Sequence, residues 1–240
     1  VFYIKLFLLL IWLILTSILG VVYSILRWGN TNINRDYARL FAWGALRILR
    51  IEVQVEGKEY LESSQPCIYV VNHQSGLDMA TLGNIYPQRT IVIGKKEVIL
   101  IPFFGIFYIA AGNILIDRSK TVKAVAGLKQ AVETIHQKKV SIWIFPEGTR
   151  NRLGDGLLPF KRGAFHMAVQ AQVPLVPIVC GPLSELAHWK KRKLKGGRIR
   201  VRVLPPISTK NIQPEEVDEL TQNTREKMLE AFHSLGSNHP

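Results

Sequence analysis

A histidine and an aspartate five positions apart, His73 and Asp78, stand in the segment Asn72-His73-Gln74-Ser75-Gly76-Leu77-Asp78, directly after the apolar run 67–71. An imidazole bonded to a carboxylate is held in one tautomer, which leaves its second nitrogen free to act as a base. On a continuous helix, positions five apart lie about 140° from each other, so the chain must bend for the two groups to meet. Gly76 supplies permissive backbone there. A helix starting near Ser75 would put Asp78 in its first turn, where a carboxylate is favoured. The motif is short and not specific alone, since Ser75-x-x-Asp78 is also a capping-box-like pattern.

A second group of reactive types is Phe145-Pro146-Glu147-Gly148-Thr149-Arg150, which follows the apolar run 140–144. Arg150 can grip a phosphate through two parallel donors, and Gly148 allows close backbone approach. Glu147 can accept hydrogen bonds from a polyol or fix the arginine, with Thr149 between them. Placed beside His73, these residues would form a phosphate and polyol pocket next to a base.

The elements that must position both segments are short apolar runs alternating with stretches of helical period. Residues 51–55, 67–71, 91–93, 114–116, 140–145, 175–179 and 199–204 read as strands, and 122–137, 163–172 and 214–235 as helices. This alternation predicts an α/β fold with a mixed sheet flanked by helices. Reactive groups of such folds emerge from loops at strand ends. The sequence divides into membrane-binding helices over 1–50 and a catalytic domain over 51–240.

The N-terminal part carries no charge over residues 6–26. A helix through that stretch would reach about 30 Å, the thickness of a bilayer core. It is long for a signal peptide, and no small-x-small cleavage site follows it. Residues 34–50 mix Tyr37, Leu40, Phe41, Ala45, Leu46, Ile48 and Leu49 with Arg35, Arg39, Arg47 and Arg50 at helical spacing. That pattern suits a cationic helix in the headgroup layer, with Trp28 and Trp43 at its boundary, or a helix packed on the domain.

Lys plus Arg number 31 against 18 Asp plus Glu, a formal charge of +13 in 240 residues, which calls for an anionic partner. The apolar N-terminus makes that partner membrane lipid and phosphate; no nucleic acid is expected. The run Lys190-Lys191-Arg192-Lys193-Leu194-Lys195, followed by Arg198, Arg200 and Arg202, reads as a surface for lipid headgroups or donor phosphates. Cys67 and Cys180 are far apart and sit in no metal-type spacing, so neither a disulfide framework nor a metal site is expected.

Four blocks together, Asn72 to Asp78, Gly112-Asn113-Ile114-Leu115-Ile116-Asp117-Arg118, Phe145 to Arg150, and Val173-Pro174-Leu175-Val176-Pro177-Ile178, closely resemble the glycerolipid acyltransferase family. The resemblance covers roughly residues 51–206, and four blocks in order are far more specific than any one. It implies His73 as general base with Asp78 as its partner, and acyl-acceptor binding by Arg118, Glu147, Gly148, Thr149 and Arg150. Lys95, in a Lys-Lys-Glu stretch, and Lys161, in a Pro-Phe-Lys-x-Gly stretch, match basic positions of the family. The second block carries Asn113 and Leu115 where the family usually has larger side chains.

The chemistry so implied is attack of the sn-2 hydroxyl of lysophosphatidic acid on an acyl thioester, giving phosphatidic acid without an acyl-enzyme. The thioester, acyl-coenzyme A or acyl carrier protein, is a co-substrate, and no cofactor is expected. The location implied is the cell membrane, with the catalytic domain on the cytoplasmic side. Two rivals remain at this point. A hydrolase using Ser75 or Cys67 lacks a G-x-S-x-G elbow, and a tethered lipid- or nucleic-acid-binding protein gives Phe145 to Arg150 no task.

Overall fold

A computed structural model of the chain describes residues 1–117, 121–151 and 156–236. Its centre is a seven-stranded sheet in the order β1-β9-β6-β2-β5-β3-β4. The strands are β1 (Ile51–Glu56), β2 (Ile68–Val71), β3 (Thr90–Lys95), β4 (Ile114–Ile116), β5 (Ser141–Ile144), β6 (Leu175–Cys180) and β9 (Gly197–Val203). From β6 to β4 all neighbours are parallel, whereas β9 is antiparallel to β6 and carries β1 parallel to itself. The mixed sheet is as the alternation predicts. A small hairpin, β7 (Ala187–His188) with β8 (Lys193–Leu194), lies outside it.

Central strands of a parallel sheet are buried on both faces, and β2 and β5 are buried at every position. Their side chains alternate between two cores. Ile68 and Val70 enter the core shared with α5 (Thr121–Lys138), α6 (Gly163–Ala171) and α7 (Val217–Gly236). Cys67, Tyr69 and Val71 enter the other, shared with α1 (Phe2–Leu26), α2 (Ile33–Leu49), α3 (Asp78–Gly83) and α4 (Phe104–Ala110). The period of two then carries His73 to the face of the sheet that the N-terminal helices cover.

Helix α2 takes the second of its two expected roles for its apolar stripe. Ile33, Tyr37, Ala38, Phe41, Ala45 and Leu49 are buried in the core, so this stripe packs on the sheet, while Arg39, Leu40, Trp43 and Arg47 face outward. The helix ends at Arg50, in left-handed backbone. Asn34 ties its first turn to the sheet, donating to Thr90 O and Ala111 O and accepting from Asn113, whose own Oδ1 accepts Val92 N–H. A polar residue at 113 therefore serves a junction between sheet and helix.

Helix α1 is docked along its length. Lys5 Nζ donates to Leu49 O and Leu194 O, and Trp12 Nε1 donates to Phe41 O. Ser17 bonds Tyr37, and Tyr23 donates to Asp36. The Trp12 ring lies so close to Gly44 that a Cβ there would stand 2.3 Å from it. Thr16, Ser17 and Ser24, all fully buried, satisfy their hydroxyls on carbonyls one turn back, as an apolar surrounding requires.

The charged face of β9 is paired with the neighbouring strand, with Arg198 largely exposed and Arg200 and Arg202 partly buried. Arg198 pairs with Glu52, and Arg200 and Arg202 both pair with Glu56, because β1 lies beside β9 in parallel register. Lys190, Lys191, Arg192, Lys193 and Lys195 stay exposed around the β7–β8 hairpin, next to the start of α1, where Phe2 meets Trp189 edge-on.

Candidate active site

Strands β2 and β5 are parallel neighbours, so the loops that leave their C-terminal ends meet. The first runs from Asn72 to Leu77 and α3 begins at Asp78, which supplies the bend needed between His73 and its carboxylate. His73 Nδ1 lies 2.5 Å from Asp78 Oδ2. The same oxygen accepts the backbone N–H groups of Gln74 at 2.8 Å and Ser75 at 3.1 Å. Asp78 is 2% exposed. A carboxylate oxygen already taking two N–H donors can only accept from the ring, so Nδ1 carries the hydrogen and Nε2 presents its lone pair. The imidazole lies on the Phe145 ring, centroids 4.2 Å apart, and keeps 19% of its side-chain surface open.

The backbone of His73 is fixed from the β5 loop on both sides. Its N–H donates to Glu147 Oε1 at 2.7 Å, and its carbonyl accepts Asn151 N–H at 2.7 Å. Glu147 Oε2 accepts Leu158 N–H at 2.9 Å, and the residue is 3% exposed. Burial pushes its carboxyl above the ordinary range, with the two backbone donors pulling the other way. Each of its oxygens accepts a backbone amide in an almost wholly buried side chain, so beside the acceptor contact expected of it Glu147 sets the position of the base.

Glu147→Gln is expected to weaken this join, because an amide can accept from only one of the two N–H groups and turns a donor toward the other. Leaving such a buried group unsatisfied costs about 1–3 kcal/mol. Urea unfolding of the variant should show that loss of stability; an unchanged midpoint would remove Glu147 from this role.

On the other side the loop is stitched to β6. Asn72 exchanges two hydrogen bonds with the Cys180 backbone, at 2.8 and 2.9 Å. Gln74 Nε2 donates to Cys180 O and Gly181 O, and its Oε1 accepts Leu183 N–H. These two positioning residues flank the base in sequence, but their partners lie more than a hundred positions away. Nothing local in the sequence announces them.

The remaining expected residues gather at the same end of the sheet. Gly148 takes φ +70, a left-handed conformation that glycine adopts without strain, and the Lys161 side chain lies across it. Lys161 N–H donates to Pro146 O at 2.8 Å, which holds that lysine's segment against the loop. Thr149 and Arg150 are exposed at the loop tip, and among the described residues no carboxylate pairs with Arg150. Lys95, at the C-terminal end of β3, is exposed and 3.4 Å from Glu97. Arg118 lies outside the described residues.

The two rival nucleophiles are poorly placed. Cys67 is fully buried and its thiol is pushed up to about 11 by burial, so the thiolate is scarce at neutral pH. Ser75 Oγ accepts Leu77 N–H at 3.0 Å and, among the described residues, makes no hydrogen bond with His73.

Comparison with known proteins shows the family and the fold. The Acyltransferase family profile matches residues 52–181, which include every block from β1 to the end of β6. The chain is 37% identical over 226 residues to bovine 1-acyl-sn-glycerol-3-phosphate acyltransferase alpha, covering 94% of this chain and 78% of that one. To the 1-acyl-sn-glycerol-3-phosphate acyltransferase of Haemophilus influenzae it is 37% identical over 238 residues, 96% and 95% of the two chains. The Escherichia coli enzyme of that name is 35% identical over 232 residues, 96% and 93%. The crystal structure of the 1-acyl-sn-glycerophosphate (LPA) acyltransferase PlsC from Thermotoga maritima superposes with a TM-score of 0.77 over 100% of both chains at 22% identity, a likeness of fold.

Proposed function

The chain belongs to the acyltransferase family, and from that premise we propose that it moves a fatty acyl group from a thioester to the sn-2 hydroxyl of lysophosphatidic acid, yielding phosphatidic acid. The observation that carries the mechanism is the single orientation of His73, with Nδ1 committed to Asp78 and Nε2 open at the sheet end. Nε2 takes the hydroxyl proton as the oxygen attacks the thioester carbonyl. Collapse of the tetrahedral adduct breaks the carbon–sulfur bond, and the imidazolium returns the proton to the departing thiolate. Asp78 stabilises the imidazolium that exists between these events. No acyl-enzyme is formed, in keeping with the burial of Cys67 and with the lack, among the described residues, of a hydrogen bond between Ser75 and His73.

Acceptor recognition falls to Arg150, at the loop tip two residues from Gly148, with Lys161, Thr149, Lys95 and Arg118 as further contacts for phosphate and glycerol. A guanidinium on a phosphate contributes a charge-assisted bond of about 1.5–3 kcal/mol. Arg150→Ala should therefore raise KM for lysophosphatidic acid by about 10- to 100-fold while changing kcat far less. The donor is acyl-coenzyme A or acyl carrier protein.

Helix α1 is long and apolar enough to cross a membrane by length and composition. Yet it is bonded to α2 from Lys5 to Tyr23, and a crossing would carry Arg35, Asp36, Arg39 and Arg47 with it into the hydrocarbon. We read α1 and α2 as lying in one leaflet, on the cytoplasmic side, where they deliver the acceptor sideways to the face that bears His73.

The test is identification of products by mass spectrometry. The purified chain is offered each donor with lysophosphatidic acid, lysophosphatidylcholine or a monoacylglycerol in mixed micelles. Phosphatidic acid formed in strong preference is the expected result; equal acylation of a phosphate-free acceptor would contradict the acceptor assignment.

A further inference from the structure

The connection between β3 and β4 bears an apolar surface that the catalytic chemistry does not use. A tight 3-10 turn over Lys96–Leu100 leads into α4, and Ile99, Leu100, Ile101, Phe103, Ile106 and Ile109 project outward. Leu100 is 77% exposed and Ile106 59%. Scattered exposed apolar side chains are ordinary, but six large ones in so short a segment form a patch that calls for a partner.

The patch is held outward by a folded element. On the inner side of α4, Phe107 stacks on Tyr37 with ring centroids 3.9 Å apart, and Tyr108 donates to Val92 O. Gly105 sits so tightly against the Ile99 backbone that a Cβ would come within 2.3 Å of it. Phe103, between turn and helix, takes φ 60 with ψ −43, a positive-φ conformation unfavourable for an aromatic residue. The fold thus keeps a strained residue in place while exposing its ring and its neighbours.

Two observations identify what covers this face. First, α4 packs beside α1, with Phe107 against Gly20, and α1 itself exposes Leu15, Ile18, Leu19 and Val22, so two neighbouring helices each present apolar side chains outward. Second, the chain carries +13, and Lys95 and Lys96 stand at the rim of the patch with half-exposed ammonium side chains, paired with Glu97 and with the less exposed Asp117. Such pairs are weak and can be exchanged for lipid phosphate.

We propose that residues 99–109 are a second membrane-inserting element, which enters the same anionic leaflet as α1. The inference rests on the membrane-bound acyltransferase reading above and adds a second contact to it. The patch begins just past the C-terminal end of β3, the end of the sheet at which His73 emerges. Two adjoining insertions, α1 and residues 99–109, fix the tilt of the domain and set His73 at headgroup level.

The full chain is reconstituted in vesicles of phosphatidylcholine with one third phosphatidylglycerol, carrying L100C, I106C or, as a control on exposed Lys138 of α5, K138C. Cys67 and Cys180 are fully buried, so a polarity-sensitive label goes to the introduced thiol. Labels at 100 and 106 are expected to shift to the blue and to be quenched by bromine-bearing lipid tails, with the label at 138 unaffected. If the label at 100 stays as open to aqueous quencher as that at 138 while the protein floats with the vesicles, α1 alone anchors and the proposal is wrong. Shielding of the label before vesicles are added, in a species of twice the chain mass, would overturn it in favour of a second copy. The double variant L100E/I106E should bind vesicles at least about tenfold more weakly while transferring acyl groups at a normal rate in detergent. Absence of any transfer to lysophosphatidic acid by the unmodified chain would count against the enzymatic reading alone.

Discussion

Replacing His73 by alanine is expected to lower kcat by about 10² to 10⁴, the range lost when a well-placed general base is removed. The substitution takes away the ring bond to Asp78 and the stack on Phe145. It leaves the backbone bonds of His73 to Glu147 and Asn151 untouched. Asp78 keeps the N–H groups of Gln74 and Ser75, so the loop retains its frame. The variant should therefore fold, with a circular dichroism spectrum like that of the parent, and KM for the acceptor should change little because Arg150 remains. A fall of less than about threefold in the folded variant would mean that another group takes the proton.

Asp78→Asn is expected to cost nearly as much, although the two side chains have the same shape. In the Ser-His-Asp template the equivalent change lowers kcat by about 10⁴. If the amide oxygen takes the place of Oδ2, the bonds to the two backbone N–H groups and Nδ1–H survive, but the charge that stabilises imidazolium is gone. The amide NH2 then occupies the position of Oδ1, a buried atom with no hydrogen-bond partner among the described residues. If the NH2 group takes the Oδ2 place instead, Nδ1 must accept, the hydrogen moves to Nε2, and the base is lost. Either arrangement spares binding and damages kcat. Steady-state kinetics with lysophosphatidic acid as the varied substrate separates the two quantities, and a loss confined to KM would contradict the positioning role.

Much of this arrangement was legible in local sequence because strands and turns leave local marks. The period of two in Ile51, Val53 and Val55 marked β1, and the short apolar runs before Asn72 and Phe145 marked β2 and β5. Gly76 and the spacing of His73 to Asp78 implied a bend, and the structure has one, with α3 beginning at Asp78. What stayed hidden depends on partners distant in the chain. Arg198, Arg200 and Arg202 looked like a lipid-facing stripe because nothing near them reveals that Glu52 and Glu56 arrive from β1. The positioning role of Glu147 stayed hidden, since its amide partners at His73 and Leu158 are created by the parallel pairing of β2 with β5 and the return of the chain. Helix α4 and its turn were missed because apolar residues there face both inward and outward, which erases the amphipathic period.

The central claim, direct transfer promoted by His73 without an acyl-enzyme, is tested most directly by stopped-flow thiol release from the acyl donor in detergent micelles, with and without lysophosphatidic acid. Thiol release that requires the acceptor, and that falls at least about a hundredfold in His73→Ala, is what the site geometry predicts. A burst of thiol equal to the enzyme concentration in the absence of acceptor would reveal a covalent intermediate and contradict it.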